Sequence, residues 1–271
     1  MGRHHDTVSF LSDYGLVDEF AGVVRSVIRS LAPHTTVVDV THGIPAHDVR
    51  GGSLALVRSV QYLAPGAVLA VVDPGVGTER RGVAVEVGED GEAVFVGPDN
   101  GLLAPAVAMV GGATRAVALT NPAYHLPAPG PTFAGRDVFA PVVAHLCNGV
   151  DLAELGEVID PLGLRPGMLP LTRREDDRLV AEVLWVDRFG NVQLNVDPDE
   201  IAALGERASL RWGGGQVRTA RRAHTYGELG AGEVGLVVDS YGMVSVALDR
   251  RSAADELGLG PGDAVSLEAP A

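Results

Sequence analysis

The strongest constraint on the fold is a regular alternation of strand-like and helix-like segments over the first 73 residues. Three short apolar segments rich in β-branched residues are typical of buried strands, and two longer segments between them carry apolar residues at helical spacing. In chain order these segments are residues 7–11, 18–33, 36–41, 48–63 and 67–73. Because strands that alternate with helices pair side by side in one direction, this pattern predicts a parallel sheet covered by helices.

The pattern changes after Asp73. Short strands separated by turns follow, then a helix from about Val138 to Asn148, then a segment rich in proline, glycine and charge, and finally strands alone. We therefore predict an α/β class with two domains. Residues 5–163 form an N-terminal α/β domain with a central, mainly parallel sheet, residues 164–177 form a linker, and residues 178–271 form a smaller β-barrel-like domain.

Charge and hydropathy narrow the classes of partner. The formal net charge of −14 disfavours nucleic acid and anionic membranes, which need a basic surface. No apolar run approaches the ~18 residues that cross a bilayer, and the first residues lack the apolar stretch of a signal peptide, so we expect a cytoplasmic protein. All 21 basic residues are arginine, which excludes chemistry that depends on lysine. A small-molecule ligand fits best.

The segment VVDPGVGTERR, residues 71–81, brings a carboxylate and two guanidinium groups to one loop. Its glycines match neither the dinucleotide fingerprint nor a P-loop, so phosphate binding is not predicted. Asp73 lies instead at the carboxyl end of a central strand, where open α/β sheets bind their ligands. Asp73 is either a functional carboxylate, with Arg80 as its ion-pair partner, or a residue that caps the turn to Gly75.

Two further carboxylates flank the loop after the first strand. Asp13 and Asp18 suit helix capping, and a carboxylate at this place also suits a ligand with paired hydroxyls, such as ribose. The eight histidines show no metal-ligand spacing with cysteine or acidic partners, so no metal site is predicted.

Six motifs carry a family resemblance. In order they are FLSDYG, VVDVTHGI, VVDPGVGTERR, PDNGLL, PTFAGRDVFAP and VDRFGNVQLN. Their sequence and spacing resemble the adenosine-forming S-adenosylmethionine (SAM) hydrolases, also called SAM hydroxide adenosyltransferases, which are related to the fluorinases and chlorinases. The resemblance covers nearly the whole chain. It implies that SAM is the substrate, that no cofactor is needed, and that the protein is a homotrimer with active sites at subunit interfaces.

The resemblance also implies roles for individual residues. By position, Asp13 would hold the ribose hydroxyls, Phe189 and Asn191 would recognise adenine, and Asp187 with Ser240 would bind the methionine end. Phe133, in the PTFAGRD motif, belongs to the same substrate-binding set.

The reacting water would meet Asp73 and Arg80, but one position departs from the family pattern. The family places histidine after the phenylalanine of its TF-x-GRD motif, and this chain has Ala134 there. The loss of a general base typically lowers a rate by about 10²–10⁴-fold, so hydrolysis is predicted to be slow unless another group compensates. His125 is a candidate replacement, and a loop histidine without function is the alternative.

The sequence alone leaves two other functions open. The chain could bind SAM or adenosine with little turnover, since binding and hydrolysis need the same contacts. It could also be a halide-using, chlorinase-like relative, with space for chloride beside Ala134. Asp73 argues against the halide, because a fixed carboxylate repels an anionic nucleophile.

Overall fold

The computed structural model describes residues 2–88 and 91–270, and the chain divides into two compact units after Met168. The division falls inside the segment 164–177 that the sequence predicts as a linker. The last part of that segment forms a short strand, Arg173–Glu175, that pairs with the following strand. None of the helices in the described ranges is both long and apolar enough to cross a membrane.

The first unit is built on a seven-stranded sheet with the order β2-β1-β3-β5-β4-β6-β7. The strands are β1 (Thr7–Ser12), β2 (Thr36–Thr41), β3 (Ala67–Val71), β4 (Gly82–Val87), β5 (Ala93–Pro98), β6 (Ala113–Ala118) and β7 (Glu157–Ile159). The pairs β1–β2, β1–β3 and β3–β5 are parallel, while β4 runs antiparallel to β5 and β6, and β7 antiparallel to β6. The predicted mainly parallel sheet is confirmed.

Helices cover both faces of this sheet. They are α1 (Phe20–Leu31), α2 (Val49–Ser59), α3 (Ala104–Met109) and α4 (Ala140–Cys147). Side chains alternate along β1, so that Phe10 packs into the core under α1 and α4 and Leu11 into the core under α2 and α3. This alternation explains why the central strands are apolar on both faces.

Local sequence features fix the ends of the helices. In α1 the buried residues Ala21, Val24 and Ile28 recur at helical spacing, and Pro33 follows the end of the helix. Asp48 caps α2, because its side chain accepts a hydrogen bond from the Gly51 backbone N–H at 2.8 Å. Both helices lie within the segments 18–33 and 48–63 that carry the helical spacing in the sequence.

The second unit is a closed β-barrel. Its strands are β8 (Arg173–Glu175), β9 (Arg178–Val186), β10 (Val192–Leu194), β11 (Arg207–Trp212), β12 (Gln216–Ala223), β13 (Val234–Val238), β14 (Val244–Ala247) and β15 (Ala264–Glu268). Pairing of β10 with both β9 and β14 closes a ring of seven strands, and β8 extends β9 outside it. A short helix, α5 (Ala253–Leu257), follows β14. The predicted barrel-like domain is confirmed.

Candidate active site

The loop after β3 carries Asp73 at the carboxyl end of a strand that lies between β1 and β5. The Asp73 carbonyl accepts a hydrogen bond from the Val76 N–H at 3.2 Å, and the Gly75 carbonyl accepts one from the Thr78 hydroxyl at 2.7 Å. Gly77 has a φ of 78°, which favours glycine. This compact turn folds the loop back and brings Arg80 beside Asp73.

Asp73 and Arg80 form an ion pair between Arg80 Nη2 and Asp73 Oδ2. Their side chains are only 7% and 13% exposed, and the guanidinium carbon lies 5.5 Å from the centre of the Phe139 ring. Asp73 Oδ1 and Arg80 Nε are buried without a hydrogen-bond partner among the described residues. Each member of the pair therefore keeps one buried polar atom whose hydrogen-bonding need is unmet, as expected beside a bound water or ligand.

Burial raises the pKa of the Asp73 carboxyl above its ordinary value, and the Arg80 charge and hydrogen bond oppose that rise. A carboxylate of raised pKa is a better proton acceptor than an ordinary surface aspartate. The pair thus combines a base with a fixed positive charge in a nearly dry setting.

The loop after β1 places Asp13 close to the same region. The Asp13 backbone N–H donates to the Val71 carbonyl at 3.3 Å, which joins the ends of β1 and β3. Its Oδ2 accepts a hydrogen bond from the His47 backbone N–H at 2.9 Å, and His47 has a φ of 68°, in the left-handed region. Asp13 therefore has a structural role in ordering residue 47, and its carboxylate still faces the cavity.

A contact between the buried residues Ser12 and His42 beneath this loop was not predicted from the sequence. Ser12 Oγ lies 2.7 Å from His42 Nδ1, and His42 Nε2 lies 3.1 Å from Asp39 Oδ1. Ser12 Oγ also accepts the Tyr14 backbone N–H at 3.2 Å, and the His42 carbonyl accepts the Gly15 N–H at 2.8 Å. The Ser12 side chain is fully buried, so the network orders the loop and does not present a nucleophile.

Aromatic rings form one wall of the site. The Tyr14 ring lies 5.6 Å from Phe133 and 5.8 Å from Phe20, and Phe20 lies 5.0 Å from Phe133, measured between ring centres. Arg136 also packs on Phe133, with its guanidinium carbon 5.1 Å from the ring centre. This wall suits the apolar face of a flat ligand.

These elements enclose a cavity of about 320 Å³. Its walls include Asp13, Tyr14, His47, Asp73, Phe133 and Ala134. The structure thus brings together four residues that sequence reasoning assigned to the site. Tyr14 and His47 were missed, because nothing in the local pattern marks them as functional.

Ala134 ends the loop before a single turn of π-helix, Gly135–Phe139, that runs into α4. A π-helical turn is rare and is often found at functional sites.

His125 is not among the residues that line the cavity. Its Nε2 is buried without a hydrogen-bond partner in the described chain, and burial lowers the pKa of its imidazole. The geometry gives no support to His125 as the replacement for histidine at position 134.

In the barrel, the turn between β9 and β10 contains three of the predicted residues, Asp187, Phe189 and Asn191. Asp187 accepts the backbone N–H of Phe189 and of Asn191, and also the Asn191 side-chain amide at 2.8 Å. The Phe189 ring is 77% exposed beside them. The turn is held by hydrogen bonds of its own, which leaves the aromatic ring free to contact a ligand.

Ser240 lies in a second turn of the barrel, between β13 and β14. Gln193, on β10, donates to Asp239 at 2.7 Å, and Ser245, on β14, donates to Asp239 at 2.9 Å. Ser240 itself is exposed. Asp239, which orders this turn, was not singled out from the sequence.

The described residues contain no group of three or more metal-ligating side chains placed to hold an ion. A larger cavity of about 630 Å³ lies in the barrel near Arg221, His224 and Val244. None of the predicted site residues lines it.

The chain combines an α/β unit, which carries the buried Asp73–Arg80 pair, with a β-barrel unit. Residues 8–156 match the SAM hydroxide adenosyltransferase N-terminal domain, and residues 181–266 match its C-terminal domain. The chain belongs to this family.

Individual relatives agree with this assignment. The (R)-S-adenosyl-L-methionine hydrolase of Salinispora tropica is 45% identical over 262 residues, which is 97% of each chain. A fluorinase of Nocardia brasiliensis is more distant, at 26% identity over 226 residues and 73% of each chain. A crystal structure of an uncharacterized conserved protein from Thermotoga maritima superposes with a TM-score of 0.87 at 30% identity, over 96% of this chain and 99% of that one.

Proposed function

We propose that this protein hydrolyses SAM to adenosine and methionine. The observation that carries the proposal is the buried Asp73–Arg80 pair, in which each residue keeps one unpaired polar atom and Asp73 lines a cavity also walled by Asp13 and Phe133. The close relatives that bear the name SAM hydrolase support the same reaction.

The reaction needs alignment and proton transfer more than activation of the leaving group. The water oxygen bonds to C5′ of the ribose while the C5′–S bond breaks, and its electron pair stays on sulfur, so methionine leaves as a neutral thioether. The water loses a proton, which Asp73 accepts before passing it to solvent. Since the sulfonium is already a good leaving group, no metal or cofactor is required. Arg80 keeps Asp73 oriented and charged.

The substrate contacts follow from the same arrangement. The Asp13 carboxylate would accept hydrogen bonds from the ribose hydroxyls, and Phe133 would pack on the ligand. From the barrel, Phe189 and Asn191 would recognise adenine, while Asp187 and Ser240 would bind the methionine end. The exposed Phe189 ring and the ordered turn around Asp187 support these roles.

We also propose that the protein works as a homotrimer, with each active site completed by a neighbouring subunit. Leu16 and Val17, in the loop that carries Asp13, are exposed apolar residues, as is Phe189 in the barrel. Such residues suit burial against another copy of the chain. A cytoplasmic location is part of the same proposal.

The halide-using alternative is disfavoured by the site itself. Asp73 is nearly buried and lines the cavity, so chloride bound there would lie near a negative charge in a poorly hydrated setting. Water has no such penalty.

One experiment separates the three functions. The protein is incubated with SAM in ¹⁸O-labelled water, with and without chloride, and the nucleosides are analysed by chromatography and mass spectrometry. The proposal expects adenosine labelled at the 5′ oxygen at a rate independent of chloride. A chlorinated nucleoside would identify a halogenase, and tight binding without any product would identify a binding protein.

A further inference from the structure

Tyr14 is held rigidly beside the Asp73–Arg80 pair. Its ring packs edge-on against Phe133, with 5.6 Å between ring centres, and its backbone N–H donates to the buried Ser12 hydroxyl at 3.2 Å. The side chain lines the same cavity as Asp73. A group fixed in this way loses little freedom on binding a ligand.

The hydroxyl of Tyr14 lies against the backbone of Gly135, the residue after Ala134. A Cβ atom at position 135 would overlap Tyr14 Oη, so the two groups are in direct contact only because residue 135 is glycine. No hydrogen bond from Tyr14 Oη is found among the described residues. The hydroxyl therefore lies next to the position where the family pattern has histidine, and it is free to bond a molecule in the cavity.

On the basis of the proposed function, we propose that the Tyr14 hydroxyl is the third group that holds the reacting water, together with Asp73 and Arg80. Ala134 offers no polar atom to the water. The tyrosine supplies a hydrogen-bonding group in the same part of the cavity, from a different element of the fold.

Burial and the charges around Tyr14 determine the protonation state of its hydroxyl. Burial and the nearby carboxylates of Asp13, Asp73 and Asp137 raise the pKa of Tyr14 far above its ordinary value, and Arg80 only partly opposes them. The phenol stays protonated, so it does not take the proton from water. It acts as a neutral hydrogen-bond partner that aligns the water, and Asp73 accepts the proton.

The first test is Tyr14→Phe, which removes the hydroxyl and keeps the ring between Phe20 and Phe133. We expect kcat to fall about 10- to 100-fold, the effect of losing one hydrogen bond to the reacting group, with KM for SAM within about threefold. The melting temperature should not change by more than a few degrees. Tyr124→Phe is the matched control. The Tyr124 hydroxyl donates a hydrogen bond to Glu154 at 2.7 Å, and Tyr124 does not line the cavity. Its kcat should equal that of the wild type.

The second test asks whether the Tyr14 hydroxyl and an imidazole at position 134 both align the reacting water. Ala134→His should raise kcat at least about tenfold more in the Tyr14→Phe background than in the wild type, because an imidazole can take over the alignment that the hydroxyl has lost. Equal gains in both backgrounds would mean that the two positions act independently and would overturn the inference.

The outcomes separate this inference from the proposed function. If the wild type forms no adenosine, the proposed function fails and the inference fails with it. If the wild type is active and Tyr14→Phe keeps its kcat within about twofold, only the inference is wrong. A fall in kcat that comes with a higher KM and a lower melting temperature would show that the hydroxyl is structural, and would also overturn it.

Discussion

At the scale of single residues, the two adjacent arginines of the loop 71–81 have different partners. Arg80 pairs with Asp73 at the cavity, whereas Arg81 donates two hydrogen bonds to Asp99 at 2.6 and 3.1 Å and one to the Gly163 carbonyl at 3.0 Å. Asp99 also accepts the Arg165 backbone N–H at 2.8 Å. The adjacent arginines thus have different partners: Arg80 pairs with Asp73, which lines the cavity, and Arg81 anchors the chain at Asp99 and Gly163.

The two Asp–Arg pairs provide a matched comparison. Asp73→Asn removes the proton acceptor, so we expect kcat to fall about 10²–10⁴-fold, while adenosine affinity stays within a few-fold. Asp99→Asn should lower the free energy of unfolding by about 1–3 kcal/mol and leave kcat per folded molecule within a few-fold. Unchanged adenosine formation in Asp73→Asn would show that the loop supports the fold and not the reaction. Chromatographic rates and chemical denaturation measure the two effects.

The pH dependence of hydrolysis follows from the protonation of Asp73. The carboxylate must be charged to accept a proton, and burial raises its pKa, so kcat/KM should rise with pH through a midpoint above the ordinary value for aspartate. Arg80 lowers that pKa. Arg80→Met should therefore move the midpoint to higher pH as well as slow the reaction, and a midpoint that moves down or stays fixed would contradict the assignment of the base.

The role of Asp13 can be separated from its structural hydrogen bond. Asp13→Asn keeps an oxygen that can accept the His47 N–H but loses the charge that a ribose would contact. We expect adenosine affinity to weaken more than about tenfold, since a charge-assisted hydrogen bond contributes about 1.5–3 kcal/mol, with little change in melting temperature. Isothermal calorimetry that gives wild-type affinity would leave Asp13 with the ordering of residue 47 as its only role.

At the scale of elements, the sequence was most informative where one local pattern determines structure. The strands β1, β2 and β3 and the helix α1 follow from apolar periodicity and from the proline after the helix, and each was predicted within a few residues. The predicted helix from Val138 was only partly right. Residues 135–139 form a π-helical turn before α4 begins at Ala140, a distinction that apolar spacing alone does not make.

Interactions between distant segments could not be predicted from the sequence. Ser12 and His42 are 30 residues apart, and they meet because β1 and β2 are parallel neighbours. The contact of Tyr14 with Gly135 depends on how the β1 loop lies against the start of α4. Neither pair has a spacing that a linear pattern can reveal. The sequence therefore located the loops of the site but not the side chains that order them.

The π-helical turn can be tested as an element. Gly135 contacts Tyr14 Oη, and Phe139 at the other end of the turn lies under Arg80. Gly135→Ala should displace the tyrosine, lower the free energy of unfolding by about 1–3 kcal/mol and reduce kcat. Gly22→Ala in α1 is the control, because no atom lies near its added methyl group, and it should stabilise by about 0.5–1 kcal/mol. A Gly135→Ala variant with wild-type kcat would mean that the contact is unimportant.

At the scale of the whole molecule, the residues proposed to contact SAM are divided between two units. Asp73, Arg80 and Asp13 belong to the first, and Asp187 and Asn191 to the barrel. Exposed apolar residues occur in the loop after β1 in the first unit, with Val17 99% exposed. A trimer in which each site uses two subunits would explain both the division and the exposure.

The exposed loop after β1 gives a direct test of assembly. Sedimentation velocity should show three chains for the wild type, and Val17→Glu should dissociate the trimer because it places a charge in an apolar contact. Leu162→Glu, at a residue that is 92% exposed on the same unit but outside the cavity, is the control and should leave three chains. A wild type that sediments as one chain and binds adenosine fully would contradict the shared site.

Mixing two inactive variants tests whether the sites are shared between subunits. On the proposed roles, Asp73→Asn should inactivate the first unit of a chain, and Asp187→Ala should remove a substrate contact from the barrel. If one site takes Asp73 from one subunit and Asp187 from the next, unfolding and refolding an equal mixture should restore about a quarter of the wild-type activity by random assortment in a closed ring. Refolded Asp73→Asn alone and Asp187→Ala alone are the controls, and they should stay inactive. If each site lay within one chain, the mixture would be as inactive as its components, because every chain would carry one defect in its own site.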